Sequence, residues 1–141
     1  MSESPLVLSS CGAAKRETAC AAKDLYVGSY ARMCLRAAYA LADCPADVRI
    51  LSAAHGLVYP DTVLEPYDIR LGDAEAITAP HLAVQAVDAG LYDRPVIVLA
   101  GAAYTRLVRQ VWPHAQAPLL GVRGIGESRQ RLAAILKTQA R

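Results

Sequence analysis

The stretch RPVIVLAGAAYTRLVRQVWP, residues 94–113, constrains the fold more than any other part of this chain. A run of β-branched and aliphatic residues, too short for an independent helix, is followed by a glycine turn and then by a helix that Pro113 ends. Strand, glycine turn and helix form the repeating unit of parallel α/β folds. Two more apolar runs have the same character: PLVLSS, a strand from residue 5 to about 9, and VRILSA, a strand over 48–53.

Helical spacing fills the intervals. Met33, Leu35, Ala38, Tyr39 and Leu41 predict a helix over about 29–42 with Ser29 as its N-cap. DAEAITAPHLAVQAVDAGL predicts another helix after an Asp73 cap, with Pro80 setting its first turn or two apart and Gly90 as terminator. APLLG predicts an extended piece at 118–120, and a last helix runs from about residue 126. The expected fold is α/β: a single domain over 1–141, with a mostly parallel sheet of about four strands flanked by helices.

A chain of 141 residues can bury a core without metal or disulfide staples. Its 54% hydrophobic content, without one Phe, argues against disorder and for an aliphatic interior. A formal charge of +2 does not announce a nucleic-acid binder, but the cations crowd toward one end. Arg106, Arg109, Arg123, Arg129, Arg131, Lys137 and Arg141, opposed by Glu127, give either a phosphate-facing surface or a merely solvated one.

MSESPLVLSSCG lacks the basic and apolar regions of a signal peptide, and no segment reaches the roughly 20 apolar residues of a membrane helix. The expectation is a cytoplasmic protein without membrane association, its four cysteines reduced. Cys11, Cys20, Cys34 and Cys44 contain no C-x-x-C pair, so neither a metal site nor any cofactor is called for.

Ligands in open parallel sheets bind beyond the carboxyl ends of the strands. Three polar loops follow predicted strands and should converge there: SSCGAAK, SAAHGLVYPDTVLEPYD and AGAAY. The first offers Ser10, Cys11 and Lys15 among residues small enough for backbone N–H groups to approach an anion, although a plain turn and a buried thiol read equally well. The third offers Gly101 and Tyr104. KDLYVGSYAR adds Tyr26, Gly28 and Ser29, where a ring for base stacking would meet a helix N-terminus; alternatively Tyr26 belongs to the core. The long second loop holds His55, Tyr59, Asp61, Glu65, Tyr67 and Asp68, stiffened by Pro60 and Pro66. Such a loop can supply an acid, a base and an aromatic grip, or its His and Asp can simply cap turns.

SSCGAAK, AAKDLYVGSY, ILSAAHGLVYPDTVLEPYDIRLG and GIGESRQRL together resemble a family of small, mostly uncharacterised bacterial and phage domains, over most of the chain. Ala54 stands where many members have Lys, so that Lys contributes nothing here. More distantly, the first and third segments are similar to the YaaA peroxide-stress proteins and the catalytic domain of archaeosine synthase. The resemblance implies a link to nucleic acids and modified bases, hence a nucleotide or nucleic-acid partner.

The resulting expectation is an enzyme acting on a nucleobase or nucleotide by cleaving or exchanging an N-glycosidic bond. Tyr26 and Tyr67 would hold the base, Asp68 or Glu65 would stabilise the sugar cation, and His55 would protonate the departing base. The Ser10–Lys15 loop and Arg129 would grip phosphate. The alternatives are a non-catalytic nucleotide-sensing or DNA-binding module, and an interaction protein with no cavity where the loops meet.

Overall fold

The computed structural model describes residues 4–139. Its main sheet contains β1 (Leu6–Ser10), β3 (Val48–Ser52), β4 (Gly56–Val58) and β6 (Val96–Leu99) in the order β4-β3-β1-β6. β1 is central and parallel to both neighbours, pairing Val7 with Val48 and Leu8 with Val98. β1 and β3 are buried along their whole length, which is why both are mainly apolar rather than strictly alternating, with Ser9, Ser10, Arg49 and Ser52 as buried polar exceptions. β4 turns back antiparallel on β3, pairing Ile50 with Val58 and Ser52 with Gly56.

Side chains of the strands feed three apolar clusters, the smallest of which joins Ile50 and Val58 to Leu25, Tyr26 and Ala31. Leu6, Leu8, Leu51, Val96 and Val98 pack against α3 (Ala79–Asp88) and α4 (Ala102–Val111) through Leu82, Ala86, Val108 and Trp112. Trp112 is fully buried, and its indole N–H donates to the Leu91 carbonyl at 3.1 Å, so its one polar atom is satisfied. On the opposite face Val7, Val48 and Leu99 meet α2 (Ser29–Leu41) and α5 (Ile125–Gln139). α2 presents Cys34, Ala37 and Ala38 there, small enough to let the helix lie close to the sheet. Each fully buried Leu or Val contributes about 1.5–3 kcal/mol relative to exposure. The chain is therefore a mixed α/β domain with a four-stranded, mostly parallel sheet flanked by helices.

Four local expectations are corrected. Ser29 is the first residue of α2 rather than its cap; Gly28 occupies the cap position, and the Ser29 hydroxyl accepts from Arg129 at 2.8 Å. α3 is capped by Thr78, not Asp73, and Pro80 falls in the first turn, where its missing N–H costs nothing. Asp73 instead closes a turn by accepting from the Arg70 N–H at 2.8 Å. Residues 118–120 form a turn; the extension beside β6 is Gln116, which exchanges backbone bonds with Val96 and Val98.

Two of the basic residues near the C-terminus hold backbone. Arg109 donates to the Ala115 carbonyl, and Arg131 to the carbonyls of Pro118 and Leu120. Arg141 lies outside the described residues. No helix among the described residues is long and apolar enough to cross a membrane.

Candidate functional site at the carboxyl edge of the sheet

Past the ends of β1 and β3 the chain makes two long excursions that are stitched together away from the main sheet. β2 (Cys20–Ala21) pairs antiparallel with β5 (Val63–Leu64). α1 (Ala22–Leu25) continues from β2, and the amides of Ala22 and Lys23 donate to the carbonyls of Thr62 and Pro60, both at 2.8 Å. The first excursion also folds on itself: Val27 N–H donates to Ala14 at 3.0 Å and Arg16 N–H to Leu25 at 2.9 Å. This pairing sets Lys15 opposite Tyr26, and its ammonium lies 4.3 Å from the centre of the Tyr67 ring. Gly12 permits the tight path, since a Cβ there would sit 3.3 Å from that of Ala31 on α2.

A chain of hydroxyls anchors Tyr67. Ser52, fully buried at the end of β3, accepts from the N–H groups of Ala54 (3.2 Å) and His55 (3.1 Å). Both lone pairs are then used, so the Ser52 proton points to the Tyr67 hydroxyl at 2.8 Å, and Tyr67 donates onward to Tyr26 at 2.6 Å. Burial raises the pKa of Tyr67, and its bond to Tyr26 raises it further, outweighing the Ser52 bond that favours the phenolate. Tyr104, on α4, is likewise raised, first by burial and then by Cys11, whose Sγ lies 3.2 Å from its hydroxyl. Both phenols are protonated donors at neutral pH.

Between these groups lies a cavity of about 400 Å³. The β1 excursion contributes Cys11, Gly12, Ala13 and Lys15, the β3 excursion Ala53 and the run Tyr67–Leu71, and α4 contributes Tyr104. The wall thus combines a thiol, two phenols, two cations and the Asp68 carboxylate with apolar Ile69 and Leu71. Among the described residues no three His, Cys, Asp or Glu side chains gather as a metal site requires.

The anticipated site residues divide into three groups. Cys11, Lys15, Tyr67, Asp68 and Tyr104 line the cavity together. Tyr26 and His55 stand behind Tyr67: Tyr26 is 4% exposed and hydrogen-bonded to it, and His55, exposed, packs its ring at 87° to Tyr67 with centroids 5.5 Å apart. The others lie off the wall. Glu65 and Gly101 are exposed, and Ser10 donates to the Cys11 carbonyl. Gly28, Ser29 and Arg129 belong to the α2–α5 junction, where Arg129 also sits over Tyr30. Sequence reasoning missed Arg70, Ile69 and Leu71. Their signal was adjacency to Asp68, because an extended segment that brings one residue to a cavity brings its neighbours.

Beside the cavity, a void of about 10 Å³ between the sheet and α2 is lined by Ser9, Ser10 and Tyr26. Ser9 Oγ is buried there without a protein partner, and the void has room for about one water molecule.

No curated protein compared with the chain matches it. A sequence model matches residues 6–134, a span that takes in the main sheet, the clasp between the two excursions and every wall residue. On that match the chain belongs to the family of unknown function DUF6884.

Proposed function

We propose that this cavity binds a nucleobase or nucleotide and that the protein cleaves or exchanges its N-glycosidic bond. The observation that carries the reading is the pairing, in one half-enclosed wall, of Lys15 and Arg70 with Asp68 and the rings of Tyr67 and Tyr104. A nucleotide needs all three kinds of partner: cations for its phosphate, a planar surface for its base, and a carboxylate for its sugar. The resemblance read from the SSCGAAK and LSAAHGLVYPDTVLEPY segments to YaaA proteins and the archaeosine synthase catalytic domain implies the same ligand class.

In the reaction, the bond between the sugar C1′ and the base nitrogen breaks and its electron pair leaves with the base. Asp68 stabilises the cationic sugar and orients the water, or incoming base, that forms the new bond at C1′. The departing nitrogen accepts a hydrogen bond from the Tyr104 hydroxyl and takes its proton from solvent. His55, outside the wall, acts by positioning Tyr67.

A second reading, a nucleotide sensor without turnover, is favoured by the placement of Glu65 and His55 off the wall, which leaves Asp68 as its single carboxylate. Mass spectrometry of reactions with nucleotides, DNA and tRNA separates the two. Released base identifies the enzyme, and its rate should fall about 10²–10⁴-fold in Asp68→Asn with the melting temperature unchanged. Thermal stabilisation by nucleotide without released base identifies the sensor. Neither stabilisation nor base release with any nucleotide, DNA or tRNA overturns both readings.

A further inference from the structure

The cavity wall carries both cationic and apolar groups. The Lys15 ammonium lies over the Tyr67 ring, so one face of that ring is already taken by a cation, and Tyr26 is buried beside it. Tyr104 and Leu71, by contrast, pack onto the apolar cluster shared with α3 and α4 and stay half-buried in the wall.

Neither cation at this site is paired with a carboxylate among the described residues. Lys15 gives one N–H to the Ala13 carbonyl at 3.2 Å and its other two donors meet no protein acceptor among the described residues; the Arg70 guanidinium meets none either. Arg109, Arg129 and Arg131, by contrast, are committed to backbone or hydroxyl oxygens. Against Asp68, Lys15 and Arg70 leave the wall with one positive charge in excess. The two cations can face the charge of about −1.5 to −2 that a phosphate monoester carries at neutral pH; the further charges of a triphosphate would face no cation in the wall.

We infer that the ligand of this cavity is a free nucleoside monophosphate, held with its phosphate at Lys15 and its base against Tyr104. The inference rests on the nucleotide reading above and adds the phosphate count and the orientation. A volume of about 400 Å³ is in the range of sites that enclose molecules of this size.

Calorimetric titration of the full chain with the common nucleosides and their 5′-mono- and triphosphates tests it. The monophosphate of the preferred base should bind about ten- to a hundredfold tighter than its nucleoside, the effect of one or two charge-assisted hydrogen bonds, and the triphosphate no tighter than the monophosphate. In Lys15→Met that preference should collapse toward unity with nucleoside affinity unchanged, and Lys15→Arg should retain it. Tyr104→Ala should weaken nucleoside and monophosphate by the same factor, and Tyr104→Phe should weaken neither by more than a few-fold. A triphosphate that binds tightest, or a Lys15→Met variant that weakens nucleoside and monophosphate equally, overturns the orientation while leaving a nucleotide site intact. No heat with any nucleoside or nucleotide removes the nucleotide reading itself.

Discussion

Replacing Gly56 by Ala tests how the second excursion is locked to the sheet. Gly56 opens β4 with φ 73°, a left-handed conformation that costs a residue with a Cβ about 1–2 kcal/mol. The added methyl would also collide with the Gln85 side-chain oxygen and come 2.8 Å from Ile77 Cδ1. Gln85 cannot withdraw freely, because its oxygen accepts from the Leu57 N–H at 2.9 Å and its amide donates to the His55 carbonyl at 2.8 Å. Losing both bonds adds roughly 0.5–1.5 kcal/mol each. The whole comes to about 3 kcal/mol, a large part of a stability on the order of 10 kcal/mol, and to a fall in melting temperature of roughly 10 °C. Urea unfolding followed by far-ultraviolet circular dichroism should show a lower midpoint with an unchanged slope. In a Gln85→Ala background there is no amide left to displace, so the same glycine substitution should cost only about 1–2 kcal/mol, its backbone part. A single variant within about 0.5 kcal/mol of the parent, or strict additivity of the two substitutions, would refute this account of the lock.

Two further perturbations address the wall and the core. Tyr67→Phe leaves the Ser52 proton and the Tyr26 oxygen without their partner and should cost about 2 kcal/mol in urea unfolding; parent-like stability would show that the hydroxyl chain is not formed. Burial pushes the Cys34 thiol up to about 11. A raised thiol pKa stabilises the fold fully below the unfolded value near 8.5, and that contribution is lost as pH climbs toward the folded value. Stability should therefore fall between about pH 8.5 and 11, and Cys34→Ala should make the fall shallower, whereas identical pH profiles would contradict the assignment.

How legible the molecule was depends on how each part is specified. The three parallel strands are buried along most of their length, so each is mainly apolar and can be read without knowing its neighbours. β4, β5 and β2 are two or three residues long, too short for any periodicity, and exist because pairing partners distant in sequence meet them. Ser29 and Asp73 show a related limit: each has the chemistry of a helix cap, but Arg129 and the Arg70 amide claim their oxygens. At the site, the loops to which Cys11, Lys15, Tyr67, Asp68 and Tyr104 belong follow from strand order alone. Which neighbouring side chains turn inward does not, and Glu65 and Asp68, three residues apart, differ in whether they reach the cavity wall.

The clasp between β2 and β5 has a consequence for access to the cavity. Lys15 and Tyr67 sit on opposite arms of that clasp, so a substitution that unpairs β2 from β5 should draw the ammonium away from the ring it covers and widen the cavity on that side.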